Sequence, residues 1–135
     1  MLRIAMALAV IATAIAGRTQ AQTVEPFTPA FRAAVPRAAA MTRDGLDKAL
    51  KDYPSARFRE VRAVRELANP APNIRFCGLL NAKNELGAYT GWVRFSAVQS
   101  HLAIAPNGEI EIGVICGAEG NSADTEDYSA LMAHR

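Results

Sequence analysis

Apolar and polar positions change their period several times along this chain. Ile4 to Ala16 is an unbroken apolar run of 13 residues. Beyond it, Leu46, Ala49 and Leu50 fall at i, i+3 and i+4, the stripe of a short amphipathic helix. Thr42 is placed to cap that helix, and Asp44 lies in its first turn. Lys48 and Lys51 sit near its end, where the helix dipole favours cations, and Pro54 disfavours helical backbone at Tyr53. Between 57 and 67 two patterns compete. Phe58, Val61, Val64 and Leu67 recur every third residue, as on a helix face, while Arg57, Arg59, Val61, Ala63, Arg65 and Leu67 make a poor strand alternation.

From Ile74 onward the pattern predicts antiparallel sheet. Residues 74–83 and 88–97 flank Asn84-Glu85-Leu86-Gly87, a four-residue hairpin loop. That register sets Phe76 against Phe95, Gly78 against Val93 and Leu80 against Gly91. Pro106-Asn107-Gly108 marks a second hairpin. A three-residue loop there pairs Ile104 with Ile110, Leu102 with Ile112 and Val98 with Cys116, which gathers the apolar residues on one face. Phe95 and Val98 have opposite parity, so a bulge or break near Ser96-Ala97 is expected.

The flanks read differently. Pro26, Pro29 and Pro36 punctuate 22–42, which predicts a linker or loosely docked arm rather than a long helix. Gly117 to Arg135 begins acidic and turn-rich, so 118–135 is expected to be a mobile tail, with room for a helical turn over 128–132. At 135 residues the chain supports one domain, over 43–117. The expected class is α+β: one short helix packed on a roughly four-stranded, mostly antiparallel sheet.

Met1-Leu2-Arg3, the apolar run and the small residues up to Thr19-Gln20-Ala21 follow the order of a secretory signal peptide over 1–21. Cleavage fits after Ala16 or after Ala21, and the run is too short to span a membrane. A periplasmic or secreted protein without a stable membrane span is therefore expected. Loss of Arg3 and Arg18 reduces 15 basic residues to 13, matching the 13 acids. A neutral exported chain gives little support to nucleic-acid binding. The charges are unevenly placed: 32–75 holds ten bases and five acids, and 109–135 six acids and one base. Attraction between these two halves explains the asymmetry more simply than an anionic partner does.

Cys77 and Cys116, an even count in an oxidising compartment, predict a disulfide. The hairpin register opposes it, since it puts Cys116 on the core face and Cys77 on the other. No Cys-x-x-Cys or His-x3-His spacing is present, so no metal site or cofactor is expected. His101 with Ser100 or Ser96 and Glu109 or Glu111 can be drawn as a hydrolase, but no Gly-x-Ser-x-Gly elbow accompanies them. Asn81, Lys83, Asn84, Tyr89 and Trp92 form the candidate binding surface, two amides and an ammonium beside two aromatics. Turn chemistry accounts for much of it, because asparagines cap loop backbone groups and a lysine guards a strand edge.

The run from Asp52 to Arg59 (Asp-Tyr-Pro-Ser-Ala-Arg-Phe-Arg) is followed by Cys77-Gly78, Asn81-Ala82-Lys83-Asn84, Gly87, Tyr89, Gly91 and Phe95. Over roughly 46–97 this resembles a family of small exported bacterial proteins. Its members carry a proline-serine-alanine element before a strand, then a Cys-Gly…Asn-Ala-Lys-Asn…Gly-x-Tyr-x-Gly-aromatic signature. The resemblance implies a strand over 57–67, the assignment adopted, and an envelope address; it implies no activity. The expected function is non-enzymatic binding of an envelope protein or glycan through 81–92. The alternative is a small hydrolase of cell-wall or peptide substrates using His101.

Overall fold

The computed structural model describes residues 27–65, 73–117 and 122–134; the predicted signal peptide lies outside them. Helix α1 (Pro29–Ala49) is followed by a 3-10 turn (Tyr53–Ser55) and strand β1 (Arg57–Arg65). Strands β2 (Ile74–Asn81), β3 (Val93–Val98) and β4 (His101–Ile104) come next, then helix α2 (Glu109–Cys116). The two-residue strand β5 (Ser122–Ala123) and helix α3 (Ser129–Met132) close the chain. The sheet order is β4-β3-β2-β1-β5, and every pairing is antiparallel. The class is α+β, as the hydrophobic pattern indicates, with four antiparallel strands extended by the short β5.

The 22–42 arm is corrected over its described part, because α1 begins at Pro29. Two features make the long helix possible. Pro29 lies at its first position, where no N–H is needed, and the Thr28 hydroxyl accepts from Phe31 N at 3.4 Å. Pro36 lies inside the helix and leaves the Arg32 carbonyl without its intrahelical donor. Docking offsets this loss, since Val35, Ala39, Thr42, Gly45 and Leu46 are buried along one stripe. Thr42 is not a cap: it sits within α1, and its hydroxyl accepts from Gln99 N at 3.1 Å. Gly45 admits the same turn, since a Cβ there would stand 2.0 Å from the Gln99 carbonyl oxygen.

The competing periods in 57–67 have one cause. The β1–β2 register shifts between Arg59 and Arg62, a bulge at which Glu60 adopts φ 54°. The extra residue brings Phe58 and Val61, three apart, to the same side, so a strand imitates a helical period. Val61 is fully buried and Phe58 packs against the same core. Residues 66 and 67 of the expected strand lie outside the described residues.

The β2–β3 hairpin departs from its expected register by two residues. Phe76 faces Ala97, Gly78 faces Phe95 and Leu80 faces Val93. A two-residue slip preserves parity, so Phe76, Gly78, Leu80, Val93 and Phe95 keep their expected face. The bulge expected near Ser96-Ala97 does not occur: the pairing runs unbroken to Val98, which lies on the other face from Phe95. The next hairpin is corrected outright. The chain reverses at Gln99-Ser100, pairing Val98 with His101, and Glu109–Cys116 is α2 rather than a strand.

One sheet face therefore carries α1 and α3 over Phe76, Leu80, Phe95 and Ala97, all buried with Val35, Leu46 and Met132. Each such large side chain contributes about 2 kcal/mol by leaving water. The opposite face carries Arg75, Cys77, Leu79, Arg94 and Ser96, and α2 lies over part of it. Because α2 is on that side, Cys116 meets Cys77 and the disulfide forms, with Cα atoms 5.9 Å apart. The conflict in the sequence arose from reading α2 as a strand.

The expected mobile tail is corrected over 122–134, while 118–121 lie outside the described residues. Asp124 is buried and accepts from Arg32 Nε and Nη2 at 2.9 and 2.8 Å and from the Tyr128 hydroxyl at 2.6 Å. The Arg32 contacts, foremost, and then Tyr128 hold its carboxyl well below the usual carboxylate range. The tail also serves the bulge: Asp127 Oδ1 and Ser129 Oγ both accept from Val61 N at 3.2 Å. Arg43 donates to the Leu131 carbonyl at 2.6 Å, and Tyr53 donates to that of Met132. Arg32 to Asp124 and Arg75 to Glu111 join the basic and acidic halves.

Candidate functional site

The α2 side of the sheet divides into two parts. Over β3 and β4, α2 is tied down by the disulfide, by Ile112, and by Arg75 donating to Glu111 at 2.9 Å and to Ser96 at 3.1 Å. Toward the β1–β2 end, the alternation of β1 places Arg57 opposite Asn81 and Arg59 opposite Leu79. Leu79 in turn faces Arg94. Arg57, Arg59 and Arg94 are exposed there.

The hairpin supplies the aromatics. Tyr89 and Trp92 are each 38% exposed, and each lies against a cation. The Arg57 guanidinium is 4.7 Å from the centre of the Tyr89 ring, and Lys83 Nζ is 5.6 Å from it. The Arg59 guanidinium is 4.3 Å from the Trp92 ring. Such contacts hold long side chains in fixed orientations at a worth of about 0.5–1 kcal/mol each on a surface. Among the described residues, Arg57 and Arg59 take part in no ion pair.

All five residues expected at the binding surface fall in this region, with differing duties. Asn84 Oδ1 accepts from Leu86 N and Ala88 N at 2.9 and 3.1 Å, and Asn81 Oδ1 accepts from Gly91 N at 3.1 Å. Their carbonyl ends thus hold the loop, and their amide NH2 groups have no protein acceptor among the described residues. Lys83 is paired with Asp52 at 3.3 Å. The Asp52 carboxyl is held below its ordinary value first by Ser55 and then by Lys83. Tyr89 donates to the Ser55 carbonyl at 2.9 Å, which docks the hairpin on the 3-10 turn.

Arg57 and Arg59 complete the surface and were missed by reading the hairpin alone. Their signal was present: two arginines at i and i+2 around Phe58 share one face of a strand. Arg94, expected only as a strand residue, pairs with Glu109.

His101 Nε2 lies 2.8 and 3.0 Å from the two Glu111 carboxylate oxygens. The His101 hydrogen bond, then Arg75, keeps Glu111 below its ordinary value. The Ser96 hydroxyl accepts from Arg75. Among the described residues no group of three or more His, Cys, Asp or Glu side chains is placed to hold a metal ion. Nor is any helix there long and apolar enough to cross a membrane. Comparison with protein-family models, curated proteins and solved structures finds no match.

Proposed function

We propose that this chain is an exported, non-enzymatic envelope protein that binds a partner through the surface joining the 81–92 hairpin to Arg57 and Arg59. One observation carries the reading: both arginines rest on ring faces rather than on carboxylates. A guanidinium held in this way keeps its donor edges available to a ligand. The signal-peptide pattern of 1–21, the resemblance to small exported proteins and the Cys77–Cys116 bond support the envelope address.

The test is capture from an envelope extract with the wild-type protein and with Arg59→Ala and Trp92→Ala. Partners retained by the wild type should be lost from both variants while their melting temperatures stay within a few degrees. Unchanged capture by both variants would sink the reading. N-terminal sequencing of the protein from the periplasmic fraction should begin at residue 17 or 22.

The rival reading, a small hydrolase, draws support from the His101–Glu111 contact, which resembles a base held by an orienting carboxylate. If His101→Ala abolishes hydrolysis of a cell-wall or peptide substrate without lowering thermal stability, that reading replaces the first.

A further inference from the structure

We infer that the partner is an anionic polysaccharide bearing carboxylate groups, of the polyuronate class; this rests on the binding surface proposed above. The open end of the sheet is rich in donors. Arg57 and Arg59 each present a fork of N–H groups matched to a carboxylate, and Asn81 and Asn84 present amide NH2 groups. A uronate polymer offers the complementary set, one carboxylate and several hydroxyl acceptors on each sugar. Arg57 and Arg59 are two residues apart on one strand face, about 7 Å along the chain, so they can engage separate carboxylates of one extended polymer.

The same geometry disfavours a nucleic acid. Base stacking uses open aromatic faces, whereas Tyr89 lies against Arg57 and Lys83, and Trp92 against Arg59. Neutral glycans leave the two guanidinium charges without counterparts. Near this side of the sheet, Asp52 is engaged by Lys83 and Glu109 by Arg94, and Glu60, at the β1 bulge beside Arg59, is exposed. Among the described residues none of the three is paired with Arg57 or Arg59.

Trp92 is the chain's one tryptophan, so its fluorescence reports on the site directly. The disulfide-bonded protein is titrated with polygalacturonate, with a neutral glucan and with a single-stranded oligonucleotide of equal charge. Polygalacturonate should change the Trp92 emission saturably, and raising the salt well above physiological strength should weaken it. The Arg57→Gln/Arg59→Gln double variant should bind roughly tenfold more weakly or worse, having lost two charge-assisted contacts. Arg37→Gln, an exposed arginine on α1, should bind as the wild type does.

No polygalacturonate binding, equal binding of the oligonucleotide or the neutral glucan, or an unweakened double variant each overturns the inference. Circular dichroism shows whether the variants are folded, and the wild-type titration stands without them. If polygalacturonate fails while envelope capture still requires Arg59 and Trp92, the carboxylate glycan is wrong and the binding surface stands. If both fail, both fall.

Discussion

The two faces of this sheet are held by different physics. Under α1 and α3 the contacts are apolar and continuous, with Phe76 and Phe95 fully buried. Under α2 the helix presents little to bury. Ile112 is its buried residue, while Ile110 and Val114 are 86% and 64% exposed. Instead, a disulfide and the Arg75–Glu111 and Arg94–Glu109 pairs fasten it to the strands. The first face rests mainly on area removed from water, with polar ties such as Thr42 to Gln99, Arg43 to Leu131 and Arg32 to Asp124 at its margins. The second uses a covalent tie and charge pairs, and it leaves the β1–β2 end open for Arg57, Arg59, Tyr89 and Trp92.

The largest effect is expected on the apolar face. Phe76→Ala should cost about 3–5 kcal/mol in urea unfolding, since it removes a fully buried ring and leaves a cavity. A cost below about 1 kcal/mol would mean that this face is not the foundation of the fold. Replacing both cysteines by serine should cost about 2–4 kcal/mol, from the 39-residue separation they close. Hydrogen exchange should then quicken first in 109–116. Uniform quickening across the sheet would show that α2 is not held separately.

Asp124→Asn should cost about 2–3 kcal/mol at neutral pH, because Arg32 and Tyr128 lose a charged acceptor. The folded carboxyl lies below its unfolded value of about 3.9, so its contribution is complete above that pH. It is lost as pH falls through the depressed folded value, so the gap between wild type and variant should narrow under acid. A constant gap from neutral pH to strong acid would contradict the network. Smallest of all, Arg59→Gln should change stability by less than about 1 kcal/mol, as an exposed cation–ring contact implies. A larger loss would make Arg59 part of the frame rather than of a binding surface.

How far the molecule could be read beforehand depends on how local the deciding contacts are. The strands at 74–81 and 93–98 and their core parity were visible in alternation, which is a property of neighbours. The same holds for the loop duties of Asn81 and Asn84. Lys83 was visible as a charge beside two aromatics, but its partner Asp52 lies 31 positions earlier and belongs to another element. The pairing of Arg57 and Arg59 with the rings likewise joins β1 to a hairpin that sequence spacing does not connect to it.

Two stretches were decided against their local preference. Residues 109–112 alternate Glu and Ile, and 109–116 contain β-branched residues that suit a strand. They become a helix that brings Cys116 to Cys77, Glu111 to Arg75 and Ile112 into a buried position. Two acids in its first turn agree with the helix dipole. Pro36 argues against helix at 29–42, yet α1 forms because Val35, Ala39 and Leu46 are buried together on the sheet. The sequence by itself determined the class, the alternation of the strands at 74–81 and 93–97 and, from the cysteine count and compartment, the cysteine pair, because periodicity and composition carry those. Only the tertiary structure decided α1, α2, the docked tail and the arginine–aromatic surface, because each is paid for by contacts between segments far apart in the chain.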